Sequence, residues 1–224
     1  MHTVSISESL RFGWNAFKKD AWVYVGAAAV VLVVSFVINQ VTAKLGDGIL
    51  AGLVGLVGAV LTWWFFLGLM RMTLNSYAGL PVKFEMIFKE SGEVLWRYAL
   101  ASIMTAIIVI IGLVLLIVPG IIAQIMLCLS AFLVLEKGMK PVEALKESRR
   151  MTKGKRWELF LFLLVLVIVN IVGAIPAGLG LLVTLPISLL ALAHVYKNID
   201  KGDDMAPVAP TQMPPATPAA PSAA

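Results

Sequence analysis

Residues suited to metal binding and redox chemistry are scarce in this sequence. Its 224 residues include one cysteine, Cys128, and two histidines, His2 and His194. One cysteine forms no internal disulfide, and two histidines cannot supply a multi-histidine metal site. The sequence also lacks a His-Glu-x-x-His pair, a phosphate-binding P-loop and a cysteine cluster. We therefore expect no enzymatic activity and no cofactor.

Charged side chains are also too few for an ordinary soluble domain. They make up 14% of the chain and hydrophobic residues 60%, whereas soluble domains carry about 25% charged residues. The apolar residues are clustered in long runs, which is typical of a multi-pass membrane protein. The interiors of these runs contain no Asp, Glu, Lys or Arg. Because ion-coupled transporters usually keep an ionisable group at membrane depth, this composition disfavours a proton-coupled mechanism.

The apolar runs predict an all-α integral membrane bundle of six transmembrane helices, arranged as three hairpins. A helix needs about 20 residues to cross about 30 Å of hydrocarbon. The predicted spans are Ala21–Ala43, Ile49–Leu69, Tyr98–Val118, Ile121–Leu135, Leu159–Ile175 and Leu181–Tyr196. Only Pro119-Gly120 separates the third span from the fourth. One continuous helix over residues 98–135 would measure about 57 Å, so we expect a tight turn at Pro119-Gly120. A re-entrant pair that does not cross the membrane is the alternative.

The basic residues lie almost entirely on one side of these spans. Of the 18 Lys and Arg residues, only Lys44 falls in a loop on the other side. Basic loops are retained in the cytoplasm during insertion because their translocation is costly. This asymmetry predicts that the N-terminus and the C-terminus are both cytoplasmic.

Each predicted hairpin follows a segment that we expect to form an amphipathic helix at the membrane interface. The first opens with the capping-box pattern Ser5-Ile6-Ser7-Glu8, and Leu10, Trp14 and Phe17 follow at helical spacing. The second and third share the order Gly, Pro-Val, Lys-Glu-Ser and a basic residue beside Trp. The likeness predicts three modules in one membrane domain, 1–202, and coincidence within a restricted membrane alphabet is the alternative. The modules would cover about residues 5–78, 79–137 and 138–202.

Residues 203–224 differ in composition from the rest of the chain. They are rich in Pro and Ala, and their only charged residues are Asp203 and Asp204. Such a segment cannot bury a core, so we predict a disordered cytoplasmic tail. A proline-rich docking peptide is the alternative, although no repeated ligand motif is present.

The densest group of cations lies in the segment before the third hairpin. Its six members are Lys146, Arg149, Arg150, Lys153, Lys155 and Arg156. Each basic residue near an anionic leaflet contributes about 1 kcal/mol of binding. We predict an anionic-lipid surface here, with ordinary topology signalling as the alternative. A nucleic-acid partner is not expected, because no aromatic stacking platform accompanies the charges.

A few polar residues lie within the predicted spans. Asn39, Gln40, Gln124 and Asn170 all fall toward the span ends opposite the basic loops. Together they could line a small intramembrane polar pocket. The alternative is hydrogen bonding between helices, which contributes about 0.6 kcal/mol for each bond.

Several short motifs resemble those of a broad group of bacterial membrane proteins. The group includes the membrane domain of some glycerophosphoryl diester phosphodiesterases. The matching residues are Val118-Pro119-Gly120-Ile121-Ile122, Ala144-Leu145, Ser148, Lys153-Gly154, Gly178, Gly180, Pro186 and Tyr196. The resemblance covers most of residues 5 to 200 and implies a multi-helix domain of the bacterial cytoplasmic (inner) membrane. The phosphodiesterase domain and its acidic metal-binding residues are missing, so enzymatic activity does not carry over.

These observations lead to two functional predictions. The first is a non-enzymatic membrane protein that interacts with anionic lipid or organises a membrane-associated complex. Its partners would be membrane lipids, with a homo-oligomer or another membrane protein as further partners. The alternative is a small transporter or channel for a lipid-like or uncharged substrate, acting through the pocket near Gln124 and Asn170.

Overall fold

The computed structural model of this protein describes residues 5–176 and 178–204, and these residues form helices and turns without any strand. A short 3₁₀ helix, Phe84–Phe88, lies between α3 and α4. The α-helices, in chain order, are α1 (Ile6–Lys19), α2 (Ala21–Leu45), α3 (Ile49–Tyr77), α4 (Gly92–Leu115), α5 (Ile117–Leu127), α6 (Ser130–Lys137), α7 (Pro141–Met151), α8 (Arg156–Ala174) and α9 (Leu181–Asp204). Helix α9 includes the first two residues of the predicted tail, and the rest of that tail lies outside the described residues.

Six helical stretches in the described part of the chain are long and apolar enough to cross a membrane. They are Ala21–Leu45, Ile49–Tyr77, Gly92–Leu115, Ile117–Lys137, Arg156–Ala174 and Leu181–Lys201. The prediction of an all-α, multi-pass membrane protein is therefore confirmed. Helices that follow each other pack together, since α2 contacts α3, α4 contacts α5 and α8 contacts α9.

The turn between the third and fourth spans lies at Leu116, so its predicted position at Pro119-Gly120 was wrong. Leu116 has extended backbone angles (φ −165°, ψ 148°) between α4 and α5. Pro119 is the third residue of α5, where a missing N–H costs no helical hydrogen bond. Gly120 serves close packing, because a Cβ atom at Gly112 would lie 2.8 Å from the Gly120 Cα atom.

The second segment before a hairpin is not the amphipathic α-helix that we predicted. Gly79, with φ of 70°, follows the end of α3, and only the five residues of the 3₁₀ helix are helical before α4. Ile87 of this 3₁₀ helix is fully buried against α3. A Cβ atom at Gly68 would lie 2.7 Å from the Ile87 carbonyl oxygen. Gly68 therefore lets the backbone of the 3₁₀ helix lie directly against α3.

Helix α1 begins as predicted but packs through a different face. The Ser5 hydroxyl accepts a hydrogen bond from the Glu8 N–H, as the capping pattern indicates. The buried face contains Ser9, Gly13, Ala16 and Phe17, whereas Trp14 is exposed. A Cβ atom at Gly13 would lie 2.8 Å from the carbonyl oxygen of Ile187 in α9. Small residues therefore bring α1 against α9, and of the predicted apolar residues Leu10, Trp14 and Phe17 only Phe17 belongs to the buried face.

Burial divides the bundle into two ends. The basic end consists of the parts next to the basic loops, and the far end consists of the turns opposite and their flanking helix termini. The basic end comprises α1, residues 67–77 of α3, α6, α7 and residues 187–201 of α9, and the far end comprises residues 41–53, 110–122 and 171–180 without 177. Fully buried side chains such as Leu67, Phe132 and Tyr196 lie in the basic end. At the far end, Ile49 is 87% exposed and Ile175 is 76% exposed.

Candidate functional site

Helix α7 is held in the basic end by an apolar face. Pro141 is its first residue, a position where proline stabilises a helix start. Ala144, Leu145, Ser148 and Met151 are buried against the neighbouring helices. This face and its spacing follow from the sequence pattern, and they orient the opposite face of α7 away from the bundle.

The six predicted cations differ in their surroundings. Lys146, Arg149 and Lys153 are exposed, and none of them forms an ion pair within the described residues. Arg150 is also exposed, but it binds Glu147 through two hydrogen bonds, Nε to Oε2 at 2.9 Å and Nη2 to Oε1 at 2.6 Å. The bond from Arg150 lowers the pKa of the Glu147 carboxyl below its usual value, although partial burial opposes this.

The other two predicted cations lie where the loop enters α8. Lys155 and Arg156 are half-buried, and the Nε atom of Arg156 is buried without a hydrogen-bond partner among the described residues. Trp157 follows immediately, is 71% exposed and stacks on Phe160 with the ring centroids 5.3 Å apart. Two exposed cations on α7, Lys146 and Arg149, and a third in the turn after it, Lys153, thus precede an exposed indole ring by a few residues.

Ser148 joins α7 to a break in the fourth span, and our sequence reasoning missed this role. The α5 helix ends at Leu127 and α6 begins at Ser130. The Ser148 hydroxyl donates to the Met126 carbonyl oxygen at 2.8 Å and accepts from the Leu129 N–H at 3.3 Å. These bonds satisfy backbone groups that the break frees, as an apolar environment requires. A serine within the apolar face of α7 was the signal that could have indicated it.

Two of the four predicted pocket residues line one groove between α5, α8 and α9. Its volume is about 560 Å³, and Gln124 and Asn170 lie in it together with Ser188. The Asn170 Nδ2 atom donates to the Leu166 carbonyl oxygen and to the Ser188 hydroxyl, at 2.8 Å each. The Asn170 Oδ1 atom is buried and has no partner among the described residues.

The other two predicted pocket residues do not join this groove. Asn39 lines a separate cavity of about 370 Å³ between α2 and α3, and its Nδ2 atom donates to the Ser35 carbonyl oxygen at 2.8 Å. Gln40 is exposed and lines neither cavity. The predicted pocket divides because α2 packs against α3 and α9, whereas α5 packs against α8.

The buried histidine of α9, His194, packs against α1. His194 lies 3.2 Å from the Ser9 hydroxyl through its Nδ1 atom and stacks on Phe12 at 4.7 Å between ring centroids. Within the described residues, no group of three or more His, Cys, Asp or Glu side chains is placed to hold a metal ion. The contacts of His194 are those of a packing residue that joins α1 to α9.

Comparison with known proteins assigns the chain to a family. The chain belongs to the family described as "Protein of unknown function (DUF975)", which matches residues 32–203. No curated protein and no solved structure matches the chain. The expected likeness to the membrane domain of glycerophosphoryl diester phosphodiesterases finds no support in these comparisons.

Proposed function

We propose that this chain is a non-enzymatic protein of the bacterial cytoplasmic membrane that binds anionic lipid headgroups through the exposed face of α7. The same surface would hold a membrane-associated complex in place. The observation that carries the proposal is the exposure of Lys146 and Arg149 opposite the packed face of α7, together with exposed Lys153 in the turn after it. Cations on a helix face directed away from a protein core are suited to anionic headgroups.

Tryptophans support a position of α7 at headgroup level. Trp22, Trp96 and Trp157 lie near the starts of α2, α4 and α8, and all three are exposed. Tryptophan favours the membrane–water interface because its ring is apolar and its N–H is polar. Since Trp157 is only four residues beyond Lys153, an interface at this ring would place α7 beside the lipid headgroups.

The distribution of charge supports a cytoplasmic position for this surface. Every Lys and Arg except Lys44 lies in α1, in the loops 78–91 and 138–155, or within a turn or two of the adjoining helix ends. Under the positive-inside tendency, both termini and α7 would face the cytoplasm. The anionic leaflet of the inner membrane would then be next to α7.

The expected strength of this interaction follows from the number of available cations. Three exposed cations at about 1 kcal/mol each would contribute up to about 3 kcal/mol, or roughly a hundredfold in affinity. The exposed carboxylate of Glu143 on the same helix reduces this figure. Arg150 adds little because Glu147 already binds it.

The test is a triple variant of the exposed cations, Lys146→Gln, Arg149→Gln and Lys153→Gln. We expect phosphatidylglycerol retained by the purified protein to fall about tenfold or more, with membrane insertion unchanged. Native mass spectrometry from a mild detergent measures the bound lipid and the number of chains together. Unchanged phosphatidylglycerol binding in a correctly inserted triple variant would refute the proposal.

A matched control separates a lipid site from general topology signalling. Arg11, Lys18 and Lys19 are exposed cations of α1 on the same side of the spans. Their replacement by Gln removes the same charge, and we expect lipid retention to stay within about twofold of the unmodified protein. Equal losses in both triple variants would mean that the α7 surface has no special role.

A second candidate function is transport of a lipid-like or uncharged substrate. The groove that contains Gln124 and Asn170 favours it, because a transport route needs space beside polar groups within the spans. Uptake of a candidate substrate into vesicles by the unmodified protein, and its loss on Asn170→Ala, would support this function. Binding without uptake would leave the groove as a binding site only.

A further inference from the structure

The groove between α5, α8 and α9 contains hydrogen-bonding groups that the protein leaves unused. Asn170 uses both hydrogens of Nδ2, one toward Leu166 and one toward Ser188. A backbone carbonyl can only accept, so the contact with Leu166 determines which end of the amide is the nitrogen. The remaining atom, Oδ1, is a buried acceptor without a partner among the described residues.

Gln124 lies on the opposite wall of the same groove. Its side chain is exposed and forms no hydrogen bond within the described residues. An unpaired amide facing hydrocarbon is costly, because no water is available there to satisfy it. The groove therefore presents a whole unused amide from Gln124, whereas the Asn170 Oδ1 atom beside it, unpaired among the described residues, is enclosed by the protein.

The size and the walls of the groove limit what can fill it. The volume is about 560 Å³, whereas a helix of ten residues, about 15 Å long and 10 Å wide, occupies about 1,200 Å³. The walls around the polar groups are apolar and include Leu163, Val167 and Leu189. No ionisable side chain lines the groove, so a charged headgroup would lack a counter-charge there.

We propose that this groove binds an uncharged, single-chain lipid whose hydroxyl group donates a hydrogen bond to the exposed Gln124 Oε1. The hydrocarbon chain would lie along the apolar walls, and Gln124 would donate to an ester or hydroxyl oxygen of the same molecule. Binding is all that the proposal requires. It holds with or without transport, and it does not depend on anionic lipid at α7.

Depth along the helices supports this type of ligand. Asn170 is four residues from the end of α8, and Gln124 and Ser188 are each seven residues from the start of α5 and α9. At 1.5 Å per residue, these polar groups lie about 6 to 11 Å from the far end of the bundle. A lipid in the nearer leaflet can bring a hydroxyl group to this depth while its chain remains in hydrocarbon.

The experiment compares two lipids on the unmodified protein in phosphatidylcholine nanodiscs. A photoactivatable monoacylglycerol labels the protein, and either monoolein or methyl oleate competes with it. Both competitors carry the same chain and an ester, but only monoolein has hydroxyl donors. We expect labelling of peptides from α8 and α9, and competition by monoolein at a concentration about tenfold lower than methyl oleate. Equal competition by the two lipids, or labelling confined to other helices, would overturn the proposal.

Two variants locate the effect in the groove. Gln124→Leu removes the acceptor, and we expect monoolein affinity to fall about tenfold to the value for methyl oleate. Asn39→Leu removes a comparable amide from the separate cavity, and we expect no change. If Gln124→Leu does not fold, the comparison of lipids on the unmodified protein still decides the question. Crosslinks between the α8 helices of two copies, in place of lipid labelling, would identify the groove as an interface and refute the lipid site.

Discussion

The apolar side chains of the two ends of the bundle differ in how far other helices enclose them. In the basic end, the side chains of Leu67, Phe132 and Tyr196 are fully enclosed by other helices. In the far end, Ile49, Val114 and Ile175 project outward. The far end is the more apolar of the two in sequence, yet most large side chains that are fully enclosed, as in the core of a soluble protein, lie in the basic end.

This difference shows which parts of the fold depend on contacts between the protein's own side chains. Side chains of the far end need no protein neighbour in a membrane, because lipid chains are as apolar as leucine. Side chains of the basic end depend on particular partners, such as the ion pair of Arg71 and Glu90 at 2.8 Å. Substitutions at outward-facing positions of the far end should therefore cost far less than substitutions at enclosed positions of the basic end, whereas the closely packed glycines of the far end, such as Gly112 and Gly120, should be as sensitive as the basic end.

The largest expected effect comes from matched glycine substitutions in α3. A Cβ atom at Gly68 would lie 2.7 Å from the Ile87 backbone oxygen, whereas one at Gly52 would have no neighbour within 4 Å. We expect Gly68→Ala to lower the free energy of unfolding by about 2–3 kcal/mol, as overpacking does elsewhere. Gly52→Ala should leave it unchanged or raise it by about 0.5–1 kcal/mol, since alanine favours a helix. Thermal unfolding in detergent measures both, and equal effects would remove the distinction between the two ends.

An intermediate effect is expected when the hydrogen bonds across the α5–α6 break are removed. Ser148→Ala leaves the Leu129 N–H without its side-chain partner, and it leaves the Met126 carbonyl with only the longer bond from the Thr152 hydroxyl at 3.4 Å. Loss of a partner for buried polar groups costs about 1–3 kcal/mol. The control is Asn39→Ala, whose amide bonds only within its own helix near the far end. A Ser148→Ala protein as stable as this control would show that the break does not need α7.

The smallest expected effect concerns charge in the basic end. Glu147→Gln removes one negative charge from α7, and this change of one unit in net charge should strengthen phosphatidylglycerol retention about fivefold, or about 1 kcal/mol. Asp47→Asn at the far end changes the charge equally and should have no effect. Lipid titration followed by native mass spectrometry measures both variants, and a gain in the far-end variant would contradict the assignment of lipid binding to α7.

The same ion pair predicts how lipid retention depends on pH. Arg150 lowers the pKa of the Glu147 carboxyl, so this carboxylate stays ionised to a lower pH than an ordinary carboxylate does. The ion pair is lost only as pH falls through the lowered pKa. In the unmodified protein, this pair should therefore leave lipid retention constant between pH 7 and pH 5. A rise in retention within that interval, absent from Glu147→Gln, would contradict the direction of the pKa change.

Local patterns in the sequence were sufficient to predict the membrane helices. The starts of α2, α3 and α9 at Ala21, Ile49 and Leu181 coincide with the predicted starts, because hydropathy changes abruptly there. The turn at Leu116 was misplaced because Pro119 was taken as a breaker, although proline is tolerated in the first turn of a helix. The second amphipathic helix was wrong because its shape depends on a distant glycine, Gly68.

The candidate sites depend on which helices are neighbours, and local patterns carry less of that information. The exposed face of α7 could be read from its own periodicity, so Lys146, Arg149 and Lys153 were found. The roles of Arg150 and Arg156 depend on neighbouring residues that the local pattern does not identify, so these roles were not predicted. Asn39 and Asn170 both lie toward the far ends of their predicted spans. They do not line the same groove, however, because the groove that contains Asn170 is formed by α5, α8 and α9, without α2. Ser188 was missed because a serine within an apolar span has no distinctive pattern.

The Ser148 contact also imposes an order on the making of the protein. Leu129 leaves the ribosome 19 residues before Ser148, so the fourth span is synthesised while its break still lacks a partner. A nascent chain that stops before α7 would hold unsatisfied backbone groups in an apolar environment, at a cost of several kcal/mol. We therefore expect the fourth span to reach its final shape only after the third basic segment has emerged, which would couple biogenesis of the second hairpin to the segment that introduces the third.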